Sequence, residues 1–305
     1  MAPILALAAI TLAQQPDVPT FRAGVALVRL DAQVIDGRRI VADLTRDDFV
    51  IRDEGAPQDI VYFGREAEPL SLLLLLDVSG SMRRSLQEMA AAARQALAPL
   101  RPADQVAVML FAGTTTLSQE FTSEKKLAVR ALELAQREDS LASGSAINAA
   151  IVEAARWMRR QLAGNPGRRA ILILTDNGGL NYQAPDETAL EAVYAADAVL
   201  NAIVPSGARP PSPPAPGRTV NPDFSPADVF RLARETGGEV LRSDKAGAAF
   251  AELIERIRTR YSLHYRAPES SSAVFRRVQV ELAPAARKRH PRAEVRARVG
   301  YRVYP

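Results

Sequence analysis

The stretch "LSLLLLLDVSGSM", residues 70 to 82, limits the folds open to this chain more than any other. Leu72 to Leu76 form an unbroken apolar run, yet the run is far shorter than the roughly 20 residues that cross a bilayer. A run this short and this apolar is a strand buried on both faces, as in a parallel sheet covered by helices. It stops at Asp77, Ser79 and Ser81, where one carboxylate and two hydroxyls open the next helix.

Three more runs share that character: Val106 to Phe111, Ala170 to Leu174 and Asn201 to Val204. Between them lie amphipathic stretches spaced for one helical face. Met82, Leu86, Met89, Ala93 and Leu97 form one stripe, and Ile147, Ile151, Ala154, Met158 and Leu162 another. Strand and helix in alternation predict an α/β fold, a doubly wound, mostly parallel sheet with helices on both faces. "FSPADVFRLARETGG" predicts a further helix with Ser225 as N-cap, Pro226 at its first position and Gly237-Gly238 beyond its end. A last helix to about Arg260 closes this unit.

Both flanks read as β-structure. Residues 26 to 63 alternate around Asp36-Gly37 and Glu54-Gly55, with Thr45 and Asp48 placed to cap one helical turn. The tail returns to strands in "YSLHYRA", "VFRRVQVEL" and "AEVRARVGYRVY", with "APAARKRHPR" as a turn. Neither flank is large enough to fold alone. The expectation is therefore a flanking β-sandwich built from both ends of the chain. Residues 20–68 and 261–305 form it, and the α/β domain, 69–260, is inserted between them. Within that domain the proline-rich segment 204–224 reads as an exposed, extended loop. The opening residues 1–15, apolar from Ile4 to Leu12 with small residues at Thr11 and Ala13, read as a signal for export. The protein is expected to be secreted or periplasmic, with no transmembrane segment.

Composition narrows the chemistry. With 305 residues, 47% apolar and 24% charged, the chain is a folded one and not a fibrous or largely disordered one. It has no cysteine, which excludes disulfides, thiolate nucleophiles and cysteine metal sites. Residues 256–305 carry 13 basic and 3 acidic residues. The basic turn 286–292 has no interleaved aromatic side chains to stack on bases, so nucleic acid is not an expected partner.

Asp77, Ser79 and Ser81 sit at the carboxyl end of a central strand, where ligands bind in open α/β sheets. Ser145 opens the helix carrying Ile147, and Asp176 in "ILILTDNGG" ends another strand. Three loops thus bring oxygen donors, and no nitrogen or sulfur, to one edge. All-oxygen donor sets suit hard cations such as Mg²⁺, Mn²⁺ or Ca²⁺.

Here the sequence resembles the von Willebrand factor type A family, whose metal-ion-dependent adhesion site is written Asp-x-Ser-x-Ser, with a Thr on a second loop and an Asp on a third. "DVSGS" matches the first element and "TDNGG" the third through Asp176, while Ser145 stands where the family usually has Thr. The hydroxyl survives without the methyl that restricts its rotamer, so weaker preorganisation is expected there. "PADQVAVMLFA" and "RLARETGGEVL" add to the likeness, which covers about residues 69–260. With its flanks, the chain is similar to secreted bacterial proteins carrying this domain. The resemblance implies a non-enzymatic adhesion module. Asp77, Ser79, Ser81, Ser145 and Asp176 would hold Mg²⁺ (or Mn²⁺ or Ca²⁺), and a protein or ligand partner would supply a carboxylate to the ion.

Two alternatives stand beside it: a scaffold in which the ion only knits the loops together, and a metal-assisted phosphohydrolase. Other enzyme readings lack parts. "SEKK" at Ser123 to Lys126 matches S-x-x-K without its companion motifs. The histidines His264 and His290 both lie in the β tail, leaving Ser79 and Ser145 no imidazole base.

Overall fold

The computed structural model describes residues 27–37, 39–65, 68–138, 140–141, 143–165, 167–181, 184–212, 225–268 and 274–303. The export signal read at 1–15 and residues 213–224 of the proline-rich segment lie outside them. In chain order the elements begin with β1 (Leu27–Asp36), β2 (Arg39–Ile40), β3 (Phe49–Asp53), β4 (Ala56–Gln58) and β5 (Tyr62–Arg65). Then follow β6 (Leu70–Asp77), α1 (Arg83–Leu97), β7 (Gln105–Phe111), β8 (Thr115–Thr122), α2 (Lys125–Ala135), α3 (Ile147–Gln161) and β9 (Arg168–Leu174). The α/β unit continues through β10 (Leu180–Asn181), α4 (Asp186–Ala195), β11 (Ala198–Val204), β12 (Ser225–Pro226), α5 (Val229–Glu235), β13 (Val240–Arg242) and α6 (Ala246–Arg258). The chain ends with β14 (Tyr261–Arg266), β15 (Val274–Leu282), α7 (Pro284–Arg289), β16 (Glu294–Arg296) and β17 (Gly300–Val303).

The α/β fold expected from the alternating runs is the one found. A six-stranded sheet has the order β13-β11-β9-β6-β7-β8. Its pairings are parallel except that β8 runs antiparallel to β7 at the edge. Every residue of β6 is buried, and the strand's period of two explains why its leucines are continuous. Leu70, Leu72, Leu74 and Leu76 enter the core beneath α1, α2 and α6. Leu73 and Leu75 enter the opposite core, beneath α3 and α4. Each leucine removed from water contributes about 2 kcal/mol, so a polar residue anywhere in the run would damage one core or the other. β7 divides the same way, Val106, Val108 and Leu110 to one side and Ala107, Met109 and Phe111 to the other.

The flanks form the expected sandwich. β1 pairs with β14 from Leu27↔Arg266 to Ala32↔Tyr261 and with β16 through Val34↔Val295. One sheet has the order β16-β1-β14-β5 with β2 attached to β1, and a second the order β17-β15-β3-β4. Their shared core includes Leu30, Ile51, Leu263, Tyr265 and Val278. Buried within it, Asp53 accepts hydrogen bonds from the Tyr265 hydroxyl at 2.8 Å, the Tyr301 hydroxyl at 2.6 Å and Arg276 Nε at 2.8 Å.

The sandwich seats against the amino ends of the parallel strands. Arg168, 1% exposed at the start of β9, meets Asp31 of β1 at 3.3 Å and donates to the Arg258 carbonyl at 3.0 Å. Burial pushes the Asp31 carboxyl up, but Arg168, Arg260 and Arg29 outweigh it and hold the group below its ordinary value. Gly237 ends α5 with φ +85°, and a Cβ there would collide with the main chain of Ala297 and Arg298 in the sandwich. Only glycine suits both the left-handed backbone and that close approach.

Three local expectations change. The helix read from Ser225 begins at Val229, because Asp228, one residue before the apolar turn, accepts from Arg231 N at 3.0 Å as its cap. Ser225 and Pro226 instead pair with Leu180 and Asn181 as β12. The basic turn contains a short helix, α7, with Pro284 at its first turn. Among the described residues no helix is long and apolar enough to cross a membrane.

Candidate metal site

Asp77 is the last residue of β6 and is 0% exposed. Its Oδ1 accepts from Ser79 N at 3.0 Å and from Ser145 Oγ at 3.3 Å; its Oδ2 accepts from Thr175 Oγ1 at 2.9 Å. Ser81 Oγ donates to Asp176 Oδ2 at 2.7 Å and lies 3.3 Å from Ser79 Oγ. The five residues singled out in the sequence therefore form one hydrogen-bonded cluster at the carboxyl edge of the sheet.

Main-chain bonds fix the three loops. Val78 N donates to the Phe111 carbonyl at 2.9 Å and Ala146 N to the Ala112 carbonyl at 2.8 Å, so the end of β7 holds both the first and the second loop. Asn148, the second residue of α3, donates to the Ala184 carbonyl at 3.0 Å and to Asp186 at 2.7 Å, tying the second loop to the start of α4. In the third loop, Gly178 N donates to Asp176 Oδ1 at 2.8 Å and Asn177 takes φ 60°. Asn177 Oδ1 accepts from Val229 N at 3.1 Å, joining that loop to α5. A Cβ on Gly179 would overlap the Ser145 carbonyl oxygen, so the second and third loops meet only because residue 179 is glycine.

The electrostatics are one-sided. Burial pushes the Asp77 carboxyl above its ordinary value; hydrogen bonds from Ser79 and Thr175 offset part of this, and the negative Asp176 adds to it. Among the described residues neither Asp77 nor Asp176 has a basic partner in an ion pair. The cluster is a pair of carboxylates with three hydroxyls and no compensating cation. That donor set fits a hard divalent ion, whose charge would offset the cost of keeping Asp77 ionised. Among the described residues there is no group of three or more His, Cys, Asp or Glu able to hold a metal; here the hydroxyls must supply the remaining donors. A cleft of about 250 Å³ opens beside the cluster, lined in part by Ser79, Gly80, Arg83, Leu141 and Gly144.

Sequence reasoning missed Thr175 and Gly179. Thr175 immediately precedes Asp176, but its role depends on Asp77, 98 positions away. The remaining candidates lie elsewhere. Lys125, inside "SEKK", donates to the Ala98 carbonyl at the far end of α1, roughly 20 Å along that helix from the cluster. His264 sits in β14 against Glu68 at 3.1 Å, and His290 follows α7.

An open α/β sheet with an oxygen-lined cluster on three loops at its carboxyl edge defines a class of ligand-binding domain. Residues 72–179 match the model of the von Willebrand factor type A domain. Among solved structures, proximal thread matrix protein 1 from the mussel byssus, with a zinc-occupied MIDAS motif, is similar with TM-score 0.51 and 17% identity. That match covers 68% of this chain and 50% of the mussel protein. An aerotolerance-related membrane protein from Bacteroides fragilis NCTC 9343 is 21% identical with TM-score 0.46, covering 62% of this chain and 98% of that one. BatB from Bacteroides thetaiotaomicron is 22% identical with TM-score 0.45 over the same shares. No curated protein matches the chain.

Proposed function

We propose that this protein is a non-enzymatic binding module that captures a protein or ligand through a divalent cation held by Asp77, Ser79, Ser81, Ser145 and Asp176. The observation that carries this reading is the gathering of these five residues, from three loops, into one cluster with two uncompensated carboxylates. The von Willebrand factor type A match over residues 72–179 supports a binding role in general. When bound, the ion supplies a Lewis-acidic position that a partner carboxylate can complete.

The chain's own groups have separable tasks. Ser79 and Ser81 offer neutral hydroxyl donors, which leave most of an ion's charge available to the partner. Asp77 and Asp176 orient those hydroxyls and balance charge. Ser145 Oγ joins the cluster through a single long hydrogen bond to Asp77 among the described residues, at 3.3 Å, and is the donor most free to change. Thr175 holds Asp77 in place from below. Placement outside the cytoplasm, secreted or periplasmic, is part of the proposal and rests on the apolar opening residues.

The test is the thermal unfolding midpoint in chelator and then across Mg²⁺, Mn²⁺, Ca²⁺ and Zn²⁺ titrations, for the parent and Asp77→Ala. A cation that binds only the folded state adds about 2.7 kcal/mol at a hundred times its dissociation constant. The expected result is a rise in the parent that is absent from the variant. No rise up to millimolar metal removes the proposal.

A further inference from the structure

The six-stranded sheet ends at β13, which pairs with β11 alone. The parallel register is Ala202↔Val240, Ile203↔Leu241 and Val204↔Arg242. Ala202 N donates to the Glu239 carbonyl at 2.9 Å, and Ser243 N donates to the Val204 carbonyl at 2.9 Å. Main-chain groups alternate sides along a strand, so the N–H and C=O of Val240 and Arg242 face outward. Among the described residues nothing bonds to them.

Across a cleft of about 470 Å³ stands β16, the edge strand of the neighbouring sheet. Val240, Val295 and the 42%-exposed Val299 give the cleft an apolar lining. Its rim is basic. Arg242 lies 4.8 Å above the Phe230 ring, and among the described residues neither Arg242 nor Arg234 meets a carboxylate. The acidic groups in the cleft are already engaged. Glu294 pairs with Arg296 at 3.2 Å, Asp228 caps α5, and Glu239 Oε2 holds Arg256 and Arg296 at 2.9 Å each. Glu239 Oε1, by contrast, is buried with no donor in reach.

We infer that this cleft receives an extended acidic segment of a partner polypeptide, added as a further strand on the free edge of β13. The segment's main chain completes the hydrogen bonds of Val240 and Arg242. Its alternate side chains divide between the valines and the two guanidinium groups. Strand addition takes affinity from main-chain bonds and specificity from alternate side chains, the two resources this cleft holds. The site is separate from the Asp77 cluster, so the inference stands without the proposed metal dependence.

The probe is a fluorescently labelled, end-capped hexapeptide of alternating glutamate and valine, titrated with the full chain in fluorescence anisotropy. Two controls replace glutamate by lysine or methylate the backbone nitrogens. Saturable binding of the glutamate peptide is expected, with both controls weaker by about tenfold or more, the equivalent of one or two lost hydrogen bonds. Arg234→Glu combined with Arg242→Glu should reverse the charge preference. Val240→Pro, which removes one outward N–H at a position where an edge strand tolerates proline, should abolish binding with the unfolding midpoint unchanged. Should that variant fail to fold, the methylated peptide and the charge variant decide alone. No saturable binding at millimolar peptide, equal binding of glutamate and lysine peptides, or indifference to backbone methylation overturns the inference. A concentration-dependent doubling of mass that Val240→Pro abolishes assigns the edge to a second copy of the chain and overturns it equally.

Discussion

At the scale of residues, Asp77 concentrates the physics of the candidate site. Its carboxyl is raised by burial, so in the metal-free protein ionising it costs folding free energy. That group's contribution is fully present below its unfolded value, ordinarily about 3.9, and is lost as pH rises through the higher folded value. In chelator, Asp77→Asn should therefore be at least as stable as the parent at neutral pH and flatter in its stability from acid to neutral pH. Urea unfolding across that range measures both, and a variant markedly less stable than the parent at neutral pH would contradict the electrostatic account. Thr175→Val tests the opposite face. It removes a hydrogen bond to a charged group, which costs about 1.5–3 kcal/mol, and should weaken any cation response. Ser145→Thr restores a branched side chain with fewer rotamers, and the cation concentration at half-saturation should fall.

At the scale of elements, the sequence was most legible where alternatives were fewest. Leu70 to Leu76 cannot lie on a one-sided strand without exposing leucines, and its two-sided burial follows directly. β8 was not anticipated. Its residues Thr115 to Thr122 are half-exposed at the sheet edge, and a polar strand of that kind leaves little apolar signature. Ser225 and Pro226 have ideal helix-start chemistry, yet Asp228 lies nearer the apolar turn and the earlier pair is taken by β10. Local capping preferences are worth about 1 kcal/mol, too little to overrule tertiary pairing. The positions of Asp77, Ser79, Ser81, Ser145 and Asp176 could be read because each ends a strand or opens a helix. Thr175 could not, since a threonine at a strand end is unremarkable until its partner is known. The Gly237-Gly238 stop was read correctly, though not the collision that makes residue 237 irreplaceable. Gly237→Ala adds a strained left-handed alanine to that collision, and a loss of at least about 1 kcal/mol in urea unfolding is expected.

At the scale of the whole molecule, the junction between sandwich and α/β domain is held by buried charge. Removing Asp31 leaves Arg168 buried and unpaired, so Asp31→Ala should cost about 3–5 kcal/mol. Because the Asp31 carboxyl is held below its ordinary value, the stability it contributes is present above the unfolded value and is lost as pH falls through the folded one. Acid titration of the parent should show that loss below about pH 4, and Asp31→Ala should lack it. Both chain crossings between the two units, through Pro69 into β6 and through Thr259 out of α6, lie at the end remote from Asp77. β6 runs straight from that end to the candidate site, flanked by β9 and β7 along Leu70–Leu76 and Ser71–Asp77. A tension applied at the Asp77 edge and held at the sandwich therefore pulls along the central strand. It loads two ladders lengthwise and together, so failure requires many hydrogen bonds to slip at once instead of parting one by one. The domain is built like a bolt through a stack, with the Asp77 edge on the loaded axis.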